Sequence, residues 1–227
     1  MKVLKSLNLN KEQTQQFETY YNFLIEYNEK VNLTAITEKE EVYIKHFYDS
    51  CLAKDFIKEN AKLVDVGTGA GFPAVPLKIM RPDINLTLVD SLNKRLIFLN
   101  ELAEKLNINY TTIHARAEEF GRSQNREQYD VVVARAVASL NSLAEYLLPL
   151  AKVGGKVIAY KGANYKEEVN LAKNAIKLFG GEIEKILEFD LPNNYGKRAL
   201  VIINKVSTTP KGYPRAKNLP KIKPISW

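Results

Sequence analysis

A chain of 227 residues, 45% hydrophobic and carrying a net charge of +7, is long enough for one α/β domain with an appendage and invites an anionic partner. It holds no apolar run long enough to span a bilayer, its first eight residues lack the apolar core of a secretory signal, and Cys51 stands alone. A membrane partner, a disulfide framework and a cysteine-based metal site are thereby excluded, no metal is expected, and a reducing, cytoplasmic setting is.

Taken in order, Asn10 reads as a helix cap, and Phe17, Tyr20, Tyr21, Leu24, Tyr27 and Val31 recur at three- and four-residue steps, which predicts an amphipathic helix over 11–30. Asn32 to Thr37 breaks it. A second helix, from about Glu38 to Ile57, carries Val42, Ile44, Phe47, Cys51, Leu52 and Phe56 inward and sets His46, Asp49 and Ser50 on adjoining parts of one face. Both precede the first predicted strand and form no βαβ unit, so residues 1–60 are expected to cap a domain over 61–204.

Leu63 to Val66 alternates apolar and acidic and runs into Gly67, Gly69 and Gly71, then Pro73, which reads as strand, tight turn, helix. Glycines there let main chain approach a ligand and take positive φ, and the following helix would offer unpaired N–H groups. Ile84 to Val89 is a second strand ending on Asp90, 19 residues after Gly71, where a ribose-binding carboxylate belongs. The spacing G-x-G-x-G departs from the dinucleotide fingerprint and favours S-adenosylmethionine, whose ammonium Asp65 could face.

A helix over 93–106, a strand over 110–114, strand 129–136, helix 140–151, strand 156–162, helix 164–179, strand 182–189 and strand 198–204 follow. Seven strands alternating with helices predict a Rossmann-like, mostly parallel sheet whose last two strands form a hairpin. Ligands bind beyond the carboxyl ends of such strands, where Asp65, Asp90, Ala117, Glu118, Arg135 and Lys161 fall. Residues 205–227 hold Lys205, Lys211, Arg215, Lys217, Lys221 and Lys223 and no acid, and without them 27 basic face 26 acidic side chains. This Pro-rich tail is either a solvated terminus or a phosphate-binding arm, with Lys211 and Arg215 as candidate contacts and Tyr213 and Trp227 able to stack on bases or on the body.

Asn32-Leu33-Thr34, His46-Phe47-Tyr48-Asp49-Ser50, Asp65 to Pro73, Asp90 to Arg95, Ala134 to Ala138 and Tyr160-Lys161-Gly162 together resemble the bacterial small-subunit ribosomal RNA methyltransferase G family. The resemblance runs through nearly the whole chain. It implies a class I S-adenosylmethionine-dependent fold that methylates nitrogen 7 of one guanosine in 16S ribosomal RNA, free or in the small subunit, with a monomer expected. It further implies cofactor contacts at Gly67, Phe72, Ala117, Glu118 and Arg135. Asn32, His46, Asp49, Ser50 and Lys161 are the candidate substrate contacts. In the tail, Tyr213-Pro214-Arg215 matches the family but Ala216-Lys217-Asn218 departs from it.

The chemistry needs little. Nitrogen 7 of guanine presents an in-plane lone pair and no proton, so in-line attack on a sulfonium methyl requires positioning and no general base. Arg135 and Lys161 are the candidates for that electrostatic work, and His46 and Asp49 for holding the base. Two other readings compete: a methyltransferase for a small molecule or protein, which predicts a closed apolar pocket, and an RNA-binding module that has lost its cofactor, which the intact glycines and Asp90 oppose.

Overall fold

A computed structural model describes residues 7–226 of the chain; the expected stacking of Trp227 lies outside the described residues. Helix α1 (Lys11–Asn28) starts with a capping box, in which the Gln13 N–H donates to Asn10 at 2.8 Å and the Asn10 N–H to the Gln13 side chain at 3.1 Å. It buries Phe17, Tyr20, Phe23 and Leu24. It stops two residues early because Asn28 Oδ1 turns to accept from the Leu33 and Thr34 N–H groups (2.7 and 3.0 Å), which fixes the loop that follows.

The second predicted helix is not one α-helix. Short α-turns at Lys39–Glu41 and Asp49–Cys51 flank a π-helix over Val42–Tyr48, and a 3-10 turn covers Lys54–Phe56. Val42, Tyr43, Ile44 and Phe47 are all buried, and the wider winding of a π-helix brings three successive apolar residues within a narrower arc than an α-helix would.

Strands β1 (Lys62–Val66), β2 (Asn85–Asp90), β3 (Thr111–His114), β4 (Tyr129–Arg135), β5 (Ala151–Lys161), β6 (Gly181–Asp190) and β7 (Lys197–Lys205) make one seven-stranded sheet in the order β3-β2-β1-β4-β5-β7-β6. The first five pair in parallel and β7 lies antiparallel between β5 and β6, so the expected hairpin and mostly parallel sheet are present. Strand β5 begins five residues before the predicted start, because a register shift against β4 absorbs Gly154 and Gly155; a Cβ on Gly155 would stand 2.8 Å from the Asp130 carbonyl.

Helices α2 (Ala74–Met80), α3 (Asn93–Leu106), α4 (Ala117–Phe120), α5 (Leu140–Leu147), α6 (Tyr165–Leu178) and α7 (Leu219–Ile222) complete the chain. Alternation along β1 splits the core in two. Leu63 joins α1, the π-helix, α2 and α3 in one cluster, while Val64 and Val66 join α5 and α6 in the other. Residues 206–226 leave the sheet and run as a strap across α4 and α5. Arg126 donates to the Thr209 and Tyr213 carbonyls (2.7 and 2.6 Å), Arg122 to the Pro214 carbonyl (2.6 Å), and Tyr213 meets Phe179 edge-on at 5.0 Å.

Candidate functional site

Gly67, Gly69 and Gly71 all take positive φ (+72°, +60° and +97°) but for different reasons. A Cβ on Gly67 would meet Val137 at 2.8 Å and one on Gly71 would meet Tyr20 Oη at 2.7 Å, whereas nothing lies within 4 Å of Gly69. The turn is held from within. The Gly67 and Thr68 N–H groups donate to the Val89 carbonyl (2.8 and 3.1 Å), Gly71 and Phe72 donate to Thr68 (2.9 and 3.0 Å), and Gly69 donates to Asp90 Oδ2 (2.9 Å). The expectation that backbone N–H groups cradle an anion here is thus corrected. A turn that uses these donors itself offers shape, not a pyrophosphate site, which removes the dinucleotide alternative.

Asp90, 2% exposed at the end of β2, also accepts from the Leu92 N–H (2.9 Å) and faces Arg95 at 3.2 Å. It opens on a cavity of about 200 Å³ whose wall includes Gly67, Ala117, Glu118, Val137, Tyr146 and Asn218. Asp65 is not on that wall. The pleat turns it, with Leu63, toward the α1 side, where it is fully buried and takes the Thr68 hydroxyl at 2.8 Å. Burial pushes its carboxyl up to about 8, against the Thr68 hydrogen bond, and Asp65 faces the turn from beneath, with Oδ1 buried and unpartnered among the described residues. Phe72 also lies off the wall, stacked between Tyr20 (5.4 Å) and His46 (4.5 Å).

Beyond the ends of β4 and β5 lies a second cavity of about 410 Å³, where Lys45, Arg135, Lys161 and Arg198 outnumber Asp49 and Glu168. Arg135 is on this wall, not on the first. Its guanidinium donates to Asp49 Oδ2 (2.8 Å), to the Lys45 carbonyl (3.0 Å) and to His46 Nδ1 (3.1 Å), and lies 5.0 Å from the Phe72 ring. A guanidinium can only donate, so Nδ1 accepts and the His46 proton sits on Nε2, which meets Thr34 Oγ1 at 2.9 Å. Burial, then Arg135, pushes the imidazole down to about 3. Lys161 donates to the Ala138 carbonyl (2.9 Å) and pairs with Glu168 (2.6 Å), which in turn caps the Leu140 N–H at 2.8 Å.

The loop after β4 separates the two cavities, with Ala136 on one wall, Val137 on the other, and Ala136 at φ +57°. Such a conformation in a non-glycine residue is strain held by its surroundings. Of the remaining expected substrate residues, His46 and Asp49 reach the second cavity. Ser50 does not: it is fully buried, its hydroxyl is turned onto the His46 carbonyl and its own carbonyl accepts from Tyr160 Oη at 2.6 Å. Asn32 is exposed on the loop outside either wall, and Lys211 is exposed on the strap. Arg215 is committed inside the protein, gripping Glu145 with Nε and Nη2 at 2.9 and 2.7 Å.

Glu168, Arg198, Tyr146 and Asn218 escaped the sequence reading. Arg198 had a signal: an antiparallel strand begins at the edge where parallel strands end, so the hairpin alone puts the start of β7 beside Lys161. Asn218 had none, because its place depends on where the strap lands.

A sequence model for the family described as rRNA small subunit methyltransferase G matches residues 13–196. A protein of Bacillus licheniformis named ribosomal RNA small subunit methyltransferase G is 52% identical over 226 residues, covering 97% of this chain and 94% of that one. One of the same name from Staphylococcus carnosus is 51% identical over 224 residues, covering 96% and 93%. Among solved structures, M. jannaschii TYW2 in complex with AdoMet superposes with a TM-score of 0.56 at 14% identity over 74% of this chain and 77% of that one. A ribosomal protein L11 methylase from Lactobacillus delbrueckii superposes at 0.55 and 16% over 72% and 79%. Both share the α/β Rossmann-like sheet.

Proposed function

The chain belongs to the rRNA small subunit methyltransferase G family, and from that premise we propose how its two cavities divide the work. It is an S-adenosylmethionine-dependent methyltransferase that acts on nitrogen 7 of a guanosine in 16S ribosomal RNA. The smaller cavity takes the adenosyl end of the cofactor. Its residues fit: Asp90 accepts from ribose hydroxyls, Glu118 accepts from the adenine amino group, Ala117 gives the flat contact, and the open space before Gly69 leaves room for the rest. When bound, the cofactor supplies an electrophilic methyl on a sulfonium.

The larger cavity takes the nucleotide. Four cations against two carboxylates suit a phosphate-bearing guest, and Arg198 and Lys45 stand where a backbone phosphate or the guanine O6 can accept from them. His46 is no base, since both ring nitrogens are committed and the neutral form is enforced; it is a rigid wall keyed to Arg135. None is needed, because nitrogen 7 carries no proton to remove. Arg135 and Lys161 position: the first locks the π-helix to the sheet, and the second holds the Ala138 carbonyl, hence the strained loop that divides the cavities.

The observation that carries this reading is the adjacency of a nucleoside-sized cavity, walled by the Asp90 and Glu118 carboxylates among its charged groups, and a cationic one across a single loop. The chain acts as a monomer in the cytoplasm, where its ribosomal substrate is made. The test is to incubate the protein with labelled S-adenosylmethionine and 16S RNA, free or in small subunits, from cells lacking this activity, and to map the label. One N7-methylguanosine is expected; label on protein, on a small molecule or at many sites would refute the reading.

A further inference from the structure

The smaller cavity is not built by the sheet domain alone. Asn218 and Lys221 of the strap form part of its wall, more than ten residues beyond the last strand. They are held there by polar contacts from three sides. The Asn218 N–H donates to Glu118 Oε1 at 3.1 Å, Tyr146 Oη donates to Asn218 Oδ1 at 3.1 Å, and Ser142 Oγ donates to the Pro220 carbonyl at 2.7 Å. Upstream, the ion pair of Arg215 with Glu145, which is 1% exposed, pins the strap to α5. Asn218 itself sits at φ +58°, a conformation that asparagine tolerates better than most residues.

We propose that residues 215–222 are a clasp that completes the cofactor pocket, with Asn218 as a positioning residue for Glu118 and Lys221 as a donor at the rim toward the adenosyl group. The inference rests on the smaller cavity being the cofactor site. With Oε1 taken by the Asn218 N–H, Glu118 keeps Oε2 for an amino group such as the 6-amino of adenine. Two carboxylates, Asp90 and Glu118, and two cations, Arg116 and Lys221, line this small space, and the Lys221 ammonium supplies from the strap a donor that suits the acceptor nitrogens of adenine, which neither carboxylate can serve. The positive charge of the tail thus has a use that does not involve RNA.

The test uses the full chain carrying Asn218→Ala, Lys221→Ala or, as reference, Asp90→Asn, titrated calorimetrically with S-adenosylmethionine and assayed on RNA at several salt concentrations. One hydrogen bond of ordinary strength corresponds to roughly fivefold in affinity. Asn218→Ala keeps the main-chain N–H but loses the Tyr146 bond and the asparagine side chain that hold that N–H against Glu118 at φ +58°; it and Lys221→Ala should each weaken cofactor binding by about five- to tenfold. The KM for cofactor should rise in step, while kcat at saturating cofactor and the salt dependence of RNA binding stay as in the parent. Amide exchange over 216–222 should slow when the cofactor is added to the parent. Lys221 is exposed, so its variant folds and keeps the test decisive. Unchanged cofactor affinity in both clasp variants, with loss in Asp90→Asn, would overturn the clasp and leave the pocket standing. Unchanged affinity in all three would overturn the pocket assignment and the clasp with it. A flatter salt slope at unchanged cofactor affinity would overturn the clasp in favour of a phosphate-binding arm.

Discussion

His46 shows how far a single side chain can be removed from the role its type suggests. Its imidazole is stacked on Phe72, accepts from Arg135 and donates to Thr34, and burial holds it neutral down to about pH 3. The unfolded chain takes up that proton near 6.5, so between about 6.5 and 3 the unfolded state binds more protons and stability falls as pH falls. Asp65 works in the opposite direction, since its folded carboxyl keeps a proton up to about 8, and its share of stability is lost as pH rises from about 3.8 to 8. Denaturant titrations across pH should therefore show a shallower acid-side slope in His46→Gln than in the parent, and a shallower decline toward pH 8 in Asp65→Asn. Parallel curves would show that neither group titrates as described. Arg135 and Lys161 were expected from the sequence to act alike, and their partners separate them. Arg135→Ala strands Asp49, a buried carboxylate left with Arg198 at 3.5 Å, and should cost about 3 kcal/mol as well as methyl transfer. Lys161→Ala frees Glu168, whose side chain is 28% exposed and can rehydrate, so it should lower transfer with a much smaller change in Tm. Strand-end position told where these cations stand. It could not tell which carboxylates meet them, because Glu168 and Asp49 arrive from helices packed on opposite faces.

At the scale of the element, the glycine turn was legible because a period-2 run stops at three glycines, and what was not legible is that its three glycines answer to different neighbours. Gly71 faces the core: a Cβ there meets Tyr20, Val75 and Leu99 at 2.7 to 3.0 Å. Gly69 faces open space. Gly71→Ala should lower stability by about 1–3 kcal/mol through overpacking, while Gly69→Val, whose cost is about 1–2 kcal/mol of left-handed backbone, should abolish cofactor binding in a folded protein. Calorimetry and melting curves on the pair check this, and the idea fails if Gly69→Val binds the cofactor as tightly as the parent. The π-helix was missed for a physical reason. Apolar residues at 42, 43, 44 and 47 fit a helical reading in general, and only the pull of Arg135 on the Lys45 carbonyl, together with burial of three neighbours in a row, favours the wider winding.

Across the whole molecule, the order of strands and their direction followed from the alternation of apolar runs with helical periods, but the path of the last 20 residues did not. Their composition suggested an arm for phosphates. In the fold, Lys205 is fully buried against the Leu148 and Phe179 carbonyls, and Arg215 is spent on Glu145, which leaves Lys211, Lys217, Lys221 and Lys223 toward solvent. Charge counting sees the sign of a side chain and not its partner. Arg215→Ala should accordingly destabilise the protein by about 3 kcal/mol, because it leaves the Glu145 carboxylate buried without a countercharge and with only the main-chain N–H of residue 215, whereas Lys211→Ala should leave the melting curve unchanged. Equal melting temperatures for the two variants would show that the strap is not anchored as described. The helices before β1 likewise share one apolar cluster with the sheet, so they fold with it and set the floor of the larger cavity.

One loop, Ala136 and Val137, is all that stands between the two cavities. A synthetic inhibitor that joins an adenosyl group to a guanine-like ring by a short linker could occupy both at once. Each half would raise the effective concentration of the other, so such a compound should outbind either fragment by orders of magnitude with no contact beyond those the halves already make. Its selectivity would come from the second half, since the sheet is common to methyltransferases as distant as TYW2 and the L11 methylase, while His46, Arg135 and Lys161 of the cationic cavity lie in segments by which this chain resembles its own family.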